Sequence, residues 1–268
     1  MKNNSRSFEF LQSPTLKTLL EGTPMGEALK KGMPNITQDD KADRAFMKRV
    51  LTLASTDPEI LQQIVEARIN LNNGLKITED QARLLLTQLE CPGFNGVSLD
   101  VSGYSFDEVR MNGARVGGDL KMAGCKVKGD NFQVDMAVGG SNVQRNMNVG
   151  GSNYQGNMNV RKNNYQEGMN VRRSNLQECM NVGGNNCQVD MAVGGSNVQR
   201  NMNVGGSNLQ ECMNVGGANF QGNMNVRGVN FQSRMTVGRG NDQRNMNVGG
   251  GNHQGEMTVG GTDVRPAR

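Results

Sequence analysis

The sequence predicts an α+β protein in which a short N-terminal helical bundle is followed by a β-solenoid of 11-residue repeats. Three observations lead to this fold class. Methionine recurs every 11 residues from Met136 to Met257, through twelve units without a slip. Residues 13–92 instead carry apolar side chains at helical spacing. The apolar fraction is only 35%, with 8 Phe and 3 Tyr, which is too little for a conventional globular core in 268 residues.

The first segment, residues 1–12, is polar and contains several Asn and Ser residues. Such a composition predicts disorder. The segment lacks the apolar stretch of a cleaved secretory signal. We therefore expect either a bacterial cytoplasmic protein or a protein exported by a machine that reads an unfolded, uncleaved N-terminus.

The helical region follows at residues 13–92. Ser13-Pro14 has the pattern of an N-cap followed by proline in the first turn, and Thr37 is the expected N-cap of a second helix. Asp57-Pro58 marks the start of a third helix. Thr78, followed three residues later by Gln81, matches a capping box at the start of a fourth. These elements predict a small bundle.

The repeat array, assigned to residues 96–264, is built of units that read like VGGSNVQRNMN. Glycine pairs and β-branched residues disfavour a helix and favour short extended pieces joined by corners. Residues 133–153 recur unchanged at 188–208, so whole units have been copied. Neighbouring coils are expected to stack about 4.8 Å apart, and two units per coil give a coil of 22 residues.

The side on which each residue lies follows less directly from the pattern. Met and the valine two positions later are expected inside. In the Asn-x-Gln piece the middle slot is apolar in ten of twelve units, for example Phe132 and Val143. We therefore prefer that slot inside, with Asn and Gln in solvent and a corner between Gln and Met. The opposite orientation, with Asn and Gln forming buried amide ladders, stays open.

One segment carries a family resemblance. Residues 114–132, ARVGGDLKMAGCKVKGDNF, resemble the GGDLxM-type repeats of pentapeptide-repeat-like β-solenoid proteins, which occur among bacterial type III secreted effectors. The resemblance implies a solenoid and a virulence-associated protein secreted into the host cell cytoplasm without a signal peptide. It implies no activity.

No constellation in the sequence predicts catalysis. The five cysteines have no paired spacing, so free thiols are expected and a zinc site is not. The single histidine, His253, has no nucleophile at a supporting spacing. The glycine pairs suit corners better than phosphate-binding loops, since no helix follows them. We expect no enzymatic activity, no catalytic residue, no metal site and no cofactor.

A deviation in two successive units predicts a partner-binding site. The pairs Arg161-Lys162 and Arg172-Arg173 replace the glycine pair, and Tyr154 and Tyr165 lie nearby in the sequence. A basic corner with aromatic residues suits an acidic protein or an acidic lipid head group. The alternative interpretation, solubilising charge at a solvated corner, is the more common use of such residues. Residues 96–268 hold 17 basic and 13 acidic side chains, too small an excess for a dedicated nucleic-acid binder.

These features predict a non-enzymatic binding or scaffold protein that contacts a host or bacterial protein. Repeat arrays suit this role because they enlarge a surface without a new core. The alternative is a self-assembling structural β-solenoid, because nearly identical rungs with an uncapped end can add to one another edge to edge.

Overall fold

A computed structural model describes residues 48–50, 52–54, 56–57, 59–89, 93–94 and 97–260. It is mostly a parallel β-solenoid of about seven turns, preceded by a few short helices. The predicted fold class is confirmed. The disorder and secretion signal predicted in residues 1–12, and the helix predicted after Ser13-Pro14, lie outside the described residues.

Two helices precede the solenoid. Helix α1 (Glu59–Asn72) begins after Asp57, whose carboxylate accepts a hydrogen bond from the Glu59 backbone N–H at 3.0 Å. Helix α2 (Glu79–Arg83) has the predicted capping box, with Thr78 and Gln81 each accepting from the other's backbone N–H, and it continues into a π-helical turn (Leu84–Gln88). The third predicted helix and the capping box are thus confirmed.

The solenoid strands form two sheets. The first sheet consists of Gly93–Phe94, Val109–Asn112, Arg115–Val116, Asn131–Val134, Ala137–Val138, Asn153–Gly156, Asn159–Val160, Asn175–Glu178, Asn181–Val182, Asn197–Val204, Asn219–Val226 and Asn241–Val248. The second sheet consists of Leu99–Asp100, Ser105–Phe106, Leu120–Lys121, Lys126–Val127, Asn142–Arg145, Asn148–Val149, Asn164–Glu167, Asn170–Val171, Asn186–Val189, Ala192–Val193, Asn208–Val215, Asn230–Val237, Asn252–Gln254 and Met257–Val259.

The strand register defines a coil of 22 residues. Asn142 pairs in parallel with Asn164 in the second sheet, and Asn153 pairs with Asn175 in the first. Two 11-residue units therefore complete one coil, and successive units lie in opposite sheets. Each unit supplies two short strands, which merge into one strand of eight residues from Asn197 onward.

A left-handed residue lies immediately before the repeating methionine. Its φ is +50° at Asn146 and +52° at Asn201, and Gly168 occupies the same position with φ +61°. The predicted corner between Gln and Met is therefore confirmed. It also reverses the alternation of side chains, because the left-handed residue shifts their phase by one position. The non-glycine residues with positive φ are Asp135, Asn146, Asn157, Cys179, Asp190, Asn201, Cys212, Asn223, Arg234 and Asn245.

The preferred orientation of the Asn-x-Gln piece is wrong, and the alternative with buried amides is the one found. Asn142 and Gln144 are 0% exposed, like Val149 in the same unit, whereas Val143 between them faces outward and is only half-buried. The phase shift at Asn146 is the geometric reason. It brings Asn142 and Gln144 to the same inner side as the methionine and valine that follow, which are buried as predicted.

Hydrogen-bonded ladders make this polar interior affordable. Each inner Asn donates its Nδ2–H to the Oδ1 of the Asn one coil further, as from Asn142 to Asn164 at 2.9 Å. The glutamines of both sheets meet between the walls: the Gln155 Nε2 donates to Gln144 Oε1 at 3.1 Å and to Gln133 Oε1 at 3.0 Å. A buried amide costs little when its hydrogen bonds are made. The ladders therefore replace part of the apolar core that the composition lacks.

The ladders have a defined lower end. The rungs below Asn131 and Asn142 carry Val109 and Leu120 at the matching register. The Oδ1 atoms of Asn131 and Asn142 consequently have no hydrogen-bond partner among the described residues, although both are fully buried.

The helices cover the N-terminal end of the solenoid. Arg49 Nε donates to the Leu89 carbonyl at 2.7 Å, Thr87 Oγ1 donates to the Glu108 carbonyl at 2.7 Å, and the Tyr104 hydroxyl donates to Ile77 at 2.6 Å. The apolar residues of α1, α2 and the π-helical turn form one continuous buried cluster with the first coils. The first rungs are thus not exposed to solvent at that end.

Candidate interaction surfaces

The two basic pairs lie on opposite edges of the solenoid. Arg161-Lys162 is in a corner that leads from the first sheet to the second, in line with Gly139-Gly140 one coil below. Arg172-Arg173 is in a corner that leads back from the second sheet to the first, half a coil away. We call these the first edge and the second edge. The parallel register does not bring the four residues into a single cluster.

Each basic pair has a tyrosine near its own edge. Tyr165 lies three residues after Lys162, at the start of a second-sheet strand, and its hydroxyl accepts a hydrogen bond from Asn163 Nδ2 at 3.1 Å. Tyr154 pairs in register with Leu176, which follows Arg173 by three residues. The predicted site residues therefore form two similar patches: the first-edge patch of Arg161, Lys162 and Tyr165, and the second-edge patch of Arg172, Arg173 and Tyr154.

The outward middle slots of the first sheet form an apolar stripe along the solenoid axis. Its aromatic residues cover neighbours: the Phe132 and Tyr154 rings lie 6.1 Å apart, and a Cβ atom at Gly156 would lie only 2.9 Å from the Tyr154 ring. Arg200 lies 4.7 Å from the centre of the Phe220 ring, a cation–π distance. The first-sheet stripe consists of Phe132, Tyr154, Leu176, Val198 and Phe220.

A second stripe follows the opposite sheet. Phe231 is its most exposed member at 37%. Arg145 lies beside Tyr165, with its guanidinium 6.0 Å from the ring centre, and forms an ion pair with Glu167 at 3.1 Å. The second-sheet stripe consists of Val143, Tyr165, Cys187, Leu209 and Phe231.

These stripes are the surface that sequence reasoning missed, because it placed the middle slot inside. A usable signal was present in the repeats. Asn and Gln recur in every unit, whereas the middle slot holds residues as different as Phe132, Cys187, Asp242 and His253. A ladder of identical amides requires one residue type on every rung, while an outward position tolerates exchange.

The thiols and the histidine are not arranged for nucleophilic catalysis. Burial raises the pKa of the Cys125 thiol to about 11 and also raises the pKa of Cys187. The pKa of Cys212 is raised by partial desolvation and by its hydrogen bond with Asp190. Because a thiolate is the reactive form, these three cysteines are poor nucleophiles. His253 is exposed in the last coil, with its ring 6.5 Å from that of Phe231.

Neither a metal centre nor a membrane span is found in the part of the chain that the structure describes. No group of three or more His, Cys, Asp or Glu side chains there is placed to hold a metal ion. No helix within those residues has the length and apolar character needed to cross a bilayer.

Comparisons of this chain with protein-family models, with curated proteins and with solved structures find no match. The fold itself, a parallel β-solenoid of stacked coils with Asn and Gln ladders, is compatible with the pentapeptide-repeat-like proteins that residues 114–132 resemble.

Proposed function

We propose that this protein is a non-enzymatic binding scaffold that acts by contacting a partner protein through the two basic-aromatic patches and the adjoining stripes. The observation that carries the proposal is the pair of outward apolar stripes. Five rungs at about 4.8 Å give each stripe a length of roughly 19 Å. Contiguous exposed apolar surface of this kind is typical of interaction sites in soluble proteins.

The residue types at the patches support the same function. Tyr and Arg are enriched among the residues that contribute most to protein–protein binding. The first-edge patch and the second-edge patch each place two cations next to a tyrosine, so we expect the partner to present carboxylates beside an apolar segment. The rigid solenoid holds both patches at a fixed separation, which suits a scaffold.

Charge reversal tests this proposal. Arg161→Glu/Lys162→Glu and Arg172→Glu/Arg173→Glu are expected to weaken capture of a protein partner at least tenfold, because each replaces attraction by repulsion at a contact. Arg227→Glu is the matched control, since Arg227 occupies the Arg161 position on the first edge three coils further. Circular dichroism checks that all variants fold.

The control decides the outcome. A partner released by both double variants and retained by Arg227→Glu supports the patches. Equal release by all three variants would reduce the effect to overall charge. Binding of the wild-type protein to vesicles of acidic lipid, with no protein captured, would replace the protein partner by a membrane surface.

We also propose that the protein is an exported bacterial effector, in line with the resemblance of residues 114–132. A reporter fused behind residues 1–47 is expected to leave bacteria that carry a working type III secretion apparatus and to stay inside an apparatus-deficient strain. The same reporter fused behind residues 48–94 is the control. Retention of both fusions by both strains would contradict export.

A further inference from the structure

The C-terminal end of the described solenoid is open, unlike the N-terminal end. Asn252 and Gln254 are exposed in the last coil, whereas their equivalents Asn230 and Gln232 one coil earlier are fully buried. Met257 and Val259, which belong to the inner columns, are likewise only half-buried. We call residues 241–260 the terminal coil.

The terminal coil offers strand edges on both walls. The strand Asn241–Val248 pairs only with Asn219–Val226, and the strands 252–254 and 257–259 pair only with Asn230–Val237. On their far side, the backbone N–H and C=O groups of these strands have no partner among the described residues. Unpaired edges of this length are templates for another chain.

The shape of this end selects its occupant. A single extended peptide would cover the edge of one wall and leave the other wall and the inner Met and Gln columns exposed. A second terminal coil has the same cross-section, so it covers both walls and the columns at once. It presents 20 residues, which is within the range of about 20–30 residues per side in a standard interface.

The covered N-terminal end determines how two copies meet. Helices α1 and α2 and the π-helical turn pack over the first coils, so a terminal coil finds no open rung there. The open end of one copy therefore faces the open end of the other, related by a two-fold axis perpendicular to the solenoid axis. The joined strands then run antiparallel, and the contact closes after two copies.

We propose that two copies of this chain associate through their terminal coils into an end-to-end dimer. The inference stands apart from the binding scaffold, since neither basic patch belongs to the terminal coil. The dimer removes the unpaired edges, buries Met257 and Val259, and leaves both patches of each copy accessible.

Light scattering combined with size-exclusion chromatography and small-angle X-ray scattering tests the dimer on the full chain. We expect a concentration-dependent dimer whose longest dimension is nearly twice that of the monomer. Gln254→Lys places a charge in the contact and is expected to yield monomers. Asn247→Lys is the matched control, because Asn247 is exposed on the outer face of the same coil, and it is expected to keep the dimer.

A mixing experiment separates a specific contact from a general loss of solubility. Gln254→Glu alone should be monomeric, and an equimolar mixture of Gln254→Glu with Gln254→Lys should recover a mixed dimer. A wild-type monomer at every concentration overturns the proposal. So does a dimer of unchanged length, which indicates side-by-side contact, or a filament, which indicates head-to-tail growth.

Discussion

Replacing Asn186 by Leu is expected to lower the free energy of unfolding by about 2–6 kcal/mol, at about 1–3 kcal/mol for each buried polar atom that loses its partner. Asn186 lies in the middle of the second-sheet amide ladder. It accepts from Asn164 Nδ2 at 2.8 Å and donates to Asn208 Oδ1 at 2.8 Å. Both neighbours are fully buried, so the Leu variant leaves one donor and one acceptor without water or protein partners.

Asn142→Leu is the matched control in the same ladder. The Asn142 Oδ1 already lacks a partner, and the rung below carries Leu120. In this variant the Asn164 Oδ1 becomes the unpaired atom in place of the Asn142 Oδ1, so their number does not rise. We expect a loss of about 1 kcal/mol or less, since the net worth of one hydrogen bond is about that size and the new Leu extends the apolar rung below.

Urea unfolding followed by circular dichroism compares the two variants. The expected result is a much larger shift in the midpoint for Asn186→Leu, with similar denaturant dependence for both variants. Equal shifts would mean that the change from Asn to Leu is costly for reasons of size alone. In that case the ladder would contribute nothing of its own to stability.

The elements with local signals were predictable from the sequence. Thr78 and Gln81 satisfy each other's backbone within one helical turn, so their spacing alone indicates a helix start. The 11-residue period likewise requires a stacked repeat, and the charged residues before Met, such as Arg145, require a corner. Each of these inferences depends on neighbours within a few residues along the chain.

The side chosen by the Asn-x-Gln piece depends on contacts 11 and 22 residues away. Hydrophobicity favours burial of Val143 over Asn142 when each residue is considered alone. The ladder reverses this preference, because each amide gains partners from identical residues in neighbouring coils. The left-handed Asn146 then decides the matter, since the corner that protects Arg145 from burial also turns Asn142 inward.

The candidate site was predictable in its residues and not in its arrangement. Arg161-Lys162 and Arg172-Arg173 are neighbours in the list of units, which suggested one cluster. Eleven residues are half of a 22-residue coil, so adjacent units face opposite edges and only every second unit shares an edge. The coil length, which the sequence left to geometry, therefore decides which charges lie together.

Coil length also predicts which deletions the fold tolerates. Removing residues 186–207, one complete coil, is expected to leave a folded solenoid with a modestly lower melting temperature. Asn185 then joins Asn208, and every remaining residue keeps a partner 22 positions away. The stability of a repeat array is approximately a sum over repeats and their contacts, so the loss should be one coil's share.

Removing Asn201 alone is expected to be far more damaging, although it deletes a single exposed residue. Asn201 is the left-handed residue of its unit, with φ +52°. Without it, Met202 and Val204 turn outward. Exposing two such side chains costs roughly 1.5–3 kcal/mol each. The same deletion shifts the register of all later rungs by one residue, so their ladders no longer align.

A deletion series measured by thermal unfolding and limited proteolysis separates period from length. Deletion of 197–207, one 11-residue unit, is the intermediate control. It moves the later coils to the opposite wall, where equivalent residues await them, so a folded protein is expected. If the single-residue deletion melts no earlier than these two, the left-handed corner does not set the phase. If the 22-residue deletion unfolds the protein, stability depends on particular units and not on the repeated ladder, because unit 188–208 has an unchanged copy at 133–153.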